Sequence, residues 1–299
     1  MLKPKQIGGY QNAVTVGCER VLVTLLRGLG PFKASVFLVG GLTPRYLVRA
    51  RPPAVPAHAG TGDLDVVIDV SILADVDAYH SLEENLHRMG FERGVNNRGA
   101  KVSWRWETKL ETGATMILEL LADAADLVGG KVKPLPNEEE ISALSIAHAS
   151  IVFDLHDQID VTAELLGENG QATETIRYAN LVGFTVLKTF AFADRAERKD
   201  AHDLTYVIEH ADGGLGQVLG QFRSALEGPH RDVVLEALAL LEKHFCDDAE
   251  GEGYRKDGSV MAARFELGDD DGEEDRDTRL LRQRRISEAV SRLIAGLRP

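Results

Sequence analysis

Gly60-Thr-Gly-Asp63-Leu-Asp65-Val-Val-Ile-Asp69, preceded by Val36-Phe-Leu-Val-Gly40-Gly41-Leu-Thr-Pro-Arg45, holds the strongest signal in this 299-residue chain. Val36 to Val39 and Val66 to Ile68 are short, rich in β-branched residues and bounded by glycine, which suits buried strands. Gly40 and Gly41 let the backbone turn sharply as the first strand ends and bring free N–H groups close to a phosphate. Asp63 and Asp65 are one residue apart, so on an extended segment both project from the same face. Two carboxylates side by side repel each other unless a cation lies between them. Hard oxygen ligands point to Mg²⁺ (or Mn²⁺) bridging to substrate phosphates. A Gly-Gly turn or an Asp-x-Asp pair alone is commonplace, and it is their order along the chain that points to a site.

A third acidic residue belongs to this chemistry. In Ala114-Thr-Met-Ile-Leu-Glu-Leu-Leu121 the segment is apolar and strand-like, with Glu119 its only charge. A lone ionised carboxylate in a buried strand is costly unless it is paired or bound to a metal. Glu119 is therefore either the third metal ligand, a residue facing solvent at a strand end, or the partner of an arginine such as Arg105.

The second block is Leu181-Val-Gly-Phe-Thr-Val-Leu-Lys188, then Arg195, then Lys199-Asp200-Ala-His-Asp203-Leu. Between Tyr178 and Ala193 the only charge is Lys188, so its ammonium group needs an anion nearby. A triphosphate supplies one. So do Asp200 and Asp203, three apart on one face of the next helix, in which case Lys188 stitches two helices together.

These two blocks together resemble the polymerase β-like nucleotidyltransferase superfamily and, within it, the AbiEii/AbiGii abortive-infection toxin family. The likeness spans residues from about 36 to 210. It implies that Lys188 holds the nucleotide phosphates, that Asp200 and Asp203 complete or orient the nucleotide site, and that Thr61 stands where the family often has Ser or Thr before the acidic pair. It also implies a bacterial toxin or phage-defence enzyme that modifies RNA, with the tRNA acceptor end as the expected acceptor, and is restrained by a cognate antitoxin. The Pro-rich connection 49–60 departs from the tight loops of minimal members. Its prolines exclude a continuing helix, and it is a lid, an acceptor surface or a plain connector.

Several residues keep two readings. Arg45 follows the Gly-Gly turn and either reaches a phosphate or sits on the surface; the Thr61 hydroxyl either bonds a phosphate or caps a turn. His58, His202 and His210 are scattered and lack a metal-ligand spacing with Cys, and they read as unassigned rather than as zinc ligands. Trp104 and Trp106 lie among Arg88, Arg93, Arg98, Lys101, Arg105 and Lys109. Alternating with basic residues they could stack bases, although packing within a twisted sheet is the commoner use.

Composition bounds the rest. An apolar content of 44% supports a full core and excludes a disordered chain. Cys18 and Cys246 are the only cysteines and lie far apart, which argues against a disulfide framework and a cysteine-rich zinc site. The start lacks the apolar core of a signal peptide and no run approaches membrane-spanning length, so a cytoplasmic location is expected. A net charge of −13 is unusual for a protein that mainly grips nucleic acid. Part of that excess is the run Asp269 to Asp275, expected to be a solvated loop.

The expected architecture is α+β: a nucleotidyltransferase-type mixed sheet with flanking helices over 1–150, and a mainly helical part over 151–299 that completes the nucleotide site. Helices are expected over about 11–29, Val76 to Arg88, 178 onward, 214–227, 230–245 and 278–297, with strands near 101–107 and 114–121. The last helix is amphipathic and basic, suited to core packing, a partner or RNA. The expected activity is transfer of NMP from an NTP to an acceptor hydroxyl, with Asp63, Asp65 and Glu119 holding the metal and Gly40, Gly41 and Lys188 positioning the triphosphate. Two alternatives remain: a small-molecule nucleotidyltransferase of the aminoglycoside-modifying type, and a catalytically silent nucleotide-binding module.

Overall fold

The computed structural model describes residues 4–74, 81–96, 99–124, 130–135, 141–270 and 272–298. In chain order the elements are α1 (Asn12–Leu29), β1 (Val36–Val39), α2 (Pro44–Leu47), β2 (Asp63–Ile68), α3 (Val70–Ala74), α4 (Leu82–Arg88), β3 (Glu92–Val95), β4 (Lys101–Lys109), β5 (Thr115–Asp123), β6 (Val132–Pro134), β7 (Ser142–Ile146), α5 (Ile151–Asp154), β8 (His156–Glu164), β9 (Gln171–Ala179), α6 (Leu181–Arg195), α7 (Arg198–His210), α8 (Gly214–Leu226), α9 (Arg231–Phe245), α10 (Asp257–Leu267) and α11 (Glu273–Leu297). The architecture is α+β with a mixed sheet, as the strand and helix patterns predict.

Two compact units emerge, both discontinuous in sequence: a sheet unit over Asn12–Thr43 and Gly60–Asn180, and a helical unit over Met1–Gln11, Pro44–Ala59 and Leu181–Pro299. In the sheet unit the strand order is β3-β4-β5-β2-β1-β9-β8, with β7 and β6 continuing beyond β5. β1 and β2 are antiparallel while β2 and β5 are parallel. β5 pairs with β4 as far as Glu119 and with β7 from Leu121 onward, so its neighbour on that side changes next to Glu119.

Alternation divides the sheet faces. Leu64, Val66, Met116, Leu118 and Leu120 are buried on one face, whereas Asp63, Asp65, Ile117 and Glu119 are half-buried on the other. α1 covers the apolar face: a methyl group on Gly17 would lie 3.6 Å from the Met116 sulfur and 2.5 Å from a Leu110 methyl. Its buried stripe runs through Cys18, Val21, Leu22, Leu25, Leu26 and Leu29, while Val14, expected in that stripe, is only half-buried.

The helical unit packs α7 on α10, α10 on α11, and α6 on α7 and α9. Phe184, Phe192, Leu204, Phe245, Phe265, Ile286 and Leu293 are all buried in it. Arg282 of α11 bonds Glu209 of α7 (2.7 and 2.7 Å) and Glu266 of α10 (2.5 and 3.0 Å), tying three helices. The basic last helix thus spends one of its arginines on packing.

Some elements differ from the sequence expectation. The helix expected from Val76 is seen from Leu82, where Ser81 and Glu84 form a reciprocal cap (3.1 Å each way); residues 75–80 lie outside the described ones, as do Arg98, Pro136 and Asp271. The hairpin β8–β9 and helix α10 had no counterpart in the expectation, and α6 starts at Leu181 rather than 178 because β9 runs to Ala179. The acidic run is not simply a solvated loop. Asp269 pairs with Arg198 at 2.6 Å, and Glu273, Glu274 and Asp275 form the first turn of α11, where the helix dipole favours negative charge.

Candidate active site and a buried ion-pair cluster

The residues singled out by sequence fall into two groups, one in each unit. In the sheet unit, Asp65 is in register with Glu119 across the parallel pair β2–β5, and Asp63 is in register with Ile117. Register partners share a face on strands about 4.8 Å apart. The three carboxylates Asp63, Asp65 and Glu119 therefore stand on one half-buried face. Gly40 explains why glycine is needed beside them. It has φ +71°, and a Cβ there would lie 2.0 Å from Oδ2 of Asp65. The main chain of the Gly40–Leu42 turn thus rests directly against the Asp65 carboxylate, with Gly41 buried in the same turn.

Glu119 also meets the alternative partner. Its Oε1 accepts from Arg105 Nε at 3.0 Å and NH2 at 2.6 Å, and Arg105 faces it in register on β4. Arg105 therefore balances part of the negative charge of the carboxylate face. Thr61 is a turn former. Its hydroxyl accepts from the Asp63 N–H at 3.2 Å and donates to the Asp63 carbonyl at 3.1 Å, while its own N–H donates to Thr15 Oγ1 at 3.1 Å. Those bonds orient the segment that enters β2 with Asp63 first. Trp106 is fully buried and serves packing, and Arg105 lies over the Trp104 ring at 4.9 Å.

The second group belongs to the helical unit. Lys188 on α6 is buried and donates to Asp200 Oδ1 at 2.7 Å, with Asp203 Oδ2 at 2.9 Å. Arg195 bonds both Asp200 oxygens (2.6 and 2.9 Å), and Lys199 bonds both Asp203 oxygens (2.8 and 2.9 Å). Burial acts against every charge here, yet the mutual attraction prevails for most of them. Asp200 is held down to about 2 by Lys188 and Arg195 despite its burial, Asp203 lies well below the usual carboxylate range, and Lys188 is raised. Lys199 is the exception, lowered because burial and the Lys188 charge outweigh Asp203. The structure thus supplies the helix-stitching partner for Lys188.

Three contacts tie the Pro-rich segment to this cluster's helix and its end. Arg49 bonds Asp212, the Tyr206 hydroxyl donates to the Pro56 carbonyl at 3.0 Å, and His58 Nε2 lies 2.9 Å from Asp203 Oδ1. His58 stacks on His202, with ring centroids 5.4 Å apart and planes 19° off parallel. Two of the three histidines that carry no assignment in the sequence, His58 and His202, are therefore assembled by the fold beside Asp203, although they lie 144 residues apart. No spacing rule finds such a pair. Arg45 is half-buried on α2, and its carbonyl accepts from Arg51 at 3.0 Å. No protein-family model matches the chain, and no curated protein matches it.

Proposed function

We propose that this chain is a metal-dependent nucleotidyltransferase that moves a nucleoside monophosphate from an NTP to an acceptor hydroxyl. The observation that carries this is the β2–β5 register, with Glu119 beside Asp65 on the face that also holds Asp63. An all-oxygen set of three carboxylates fits a hard cation such as Mg²⁺ or Mn²⁺. When bound, the ion offsets the repulsion among the carboxylates and stabilises charge developing on the transferring phosphate.

The protein's own groups do the remainder. A carboxylate of the trio accepts the proton of the acceptor hydroxyl as its oxygen attacks the α-phosphorus, and the bond from that phosphorus to the bridging oxygen breaks, releasing pyrophosphate. The Gly40–Gly41 turn offers backbone N–H groups to the phosphates without a side chain in the way. Arg105 restrains Glu119 so that it keeps one orientation.

The superfamily, the AbiEii-type toxin role, an RNA acceptor such as the tRNA end and a cognate antitoxin rest on motif resemblance alone. The net charge of −13 favours a second acceptor class, a cationic small molecule. Transfer of label from each of the four α-³²P NTPs, with Mg²⁺, to total bacterial RNA separates them when run beside Asp63→Ala. RNA labelled only by the wild type supports the first reading. Unlabelled RNA with nucleotide still bound moves the reading to a small-molecule acceptor or to a catalytically silent nucleotide-binding module, and a fully active Asp63→Ala protein overturns the carboxylate assignment.

A further inference from the structure

His58, His202 and Asp203 each offer a ligand atom within 4.8 Å of the others. We propose that they form a site for one divalent transition-metal ion of the zinc class, separate from the carboxylate face of the sheet unit. His202 supplies the main argument. Its Nδ1 lies 2.9 Å from Glu266 Oε1, which fixes the ring and makes Nδ1–H the donor. Nε2 is then the nitrogen with the free lone pair. That atom is buried, in a residue only 2% exposed, and among the described residues it has no hydrogen-bond partner. A carboxylate bonded behind a histidine whose other nitrogen is left for a metal is the usual second layer of a zinc site.

Two imidazoles and one carboxylate select zinc-type ions over Mg²⁺, whose preference is for oxygen alone. At bond lengths of about 2.0–2.1 Å around a tetrahedral ion the donors stand roughly 3.4 Å apart, so His58 Nε2 and Asp203 Oδ1, now 2.9 Å apart, must open slightly while any pair wider than that closes in. His58 can make that movement. It lies on the segment before β2 rather than in a helix, and turning its ring shifts Nε2 from Asp203 Oδ1 to the shared ion. The ion competes with two ammonium groups, since Lys188 and Lys199 both hold Asp203. Lys199 has an alternative partner in the Tyr10 ring, 5.6 Å from its Nζ. All of these residues lie in the helical unit, so the site does not depend on the nucleotidyltransferase proposal.

The test uses the full chain, stripped with EDTA, dialysed against Zn²⁺ and then against metal-free buffer, with metal content read by mass spectrometry and Co²⁺ absorption as a probe of imidazole ligation. About one Zn²⁺ per chain is expected, with a visible Co²⁺ spectrum. His58→Gln and His202→Gln should each weaken Zn²⁺ binding about tenfold or more, and Asp63→Ala should leave it unchanged. If His202→Gln fails to fold, His58→Gln decides. A wild type that keeps no zinc and gives no Co²⁺ spectrum, zinc retained in full by His58→Gln, or zinc lost from Asp63→Ala would each overturn the site.

Discussion

Gly40 and Asp65 are a pair that sequence proximity does not suggest. The glycine is needed twice, for φ +71° and for the 2.0 Å approach of its Cβ position to the carboxylate. Gly40→Ala should displace Asp65, lower the proposed transfer at least about tenfold by misplacing one of the three carboxylates, and cost about 1–3 kcal/mol in urea unfolding. Lys188 makes the complementary case. Removing one partner of a buried ion pair strands the others, so Lys188→Met should lose about 3 kcal/mol or more of stability. If stability is unchanged while nucleotide affinity falls, the ammonium group serves the phosphates rather than the helices. Glu119→Gln keeps a hydrogen-bond acceptor for Arg105 and removes the charge; transfer lost from a protein that melts like the wild type would mark Glu119 as a metal ligand.

Elements with a single strong period were legible and those with mixed signals were not. α1 declares itself through a helical stripe, and β1, β2 and β5 through short β-branched or apolar runs. The β8–β9 hairpin carries a period-2 signal, with Ile176 and Tyr178 buried on either side of half-buried Arg177 and Thr175 exposed before them, but its polar outer residues read as loop. α10 is short and opens with Asp257-Gly258, a pair that reads as a turn. The hairpin is secured at its tip by Glu111, which accepts from Arg20 at 2.8 and 2.9 Å and from the Gly167 N–H at 3.0 Å. The Arg20 hydrogen bonds hold the Glu111 carboxyl down to about 2. A lowered carboxylate contributes stability above its unfolded pKa, about 4.5, and loses it as pH falls toward 2. The melting-temperature gap between wild type and Glu111→Gln should accordingly be full at pH 6 and close between pH 4.5 and 2. Within the sheet, Trp106→Ala removes a fully buried ring and should cost about 3–5 kcal/mol by denaturant titration.

At the scale of the whole molecule, charge is the dominant constraint. The chain carries −13, and several of its basic residues are already spent: Arg93 on Glu83, Arg105 on Glu119, Arg282 on Glu209 and Glu266. An RNA acceptor would therefore be held through few phosphates. The plot of log affinity against log salt should be no steeper than about −2, or roughly three phosphates at ~0.7 each for a single strand. A slope several times steeper in filter binding would show a basic groove that the net charge conceals.

By itself, the sequence determined the α+β class, the strand–Gly-Gly–Asp-x-Asp order, and the need of Lys188 for a counter-charge. Each follows from local physics: side-chain period, the conformational freedom of glycine, and the cost of burying a lone charge. Tertiary structure alone decided which side chains each charge meets. Glu119 faces both Asp65 and Arg105 because β5 is flanked by β2 on one side and β4 on the other, and Lys188 meets Asp200 and Asp203 because α6 packs on α7. His58 reaches His202 because the Pro-rich segment is tied to α7 at Pro56 and Asp203. Such pairings depend on the register and packing of segments far apart in the chain, and neither residue type nor local spacing encodes them.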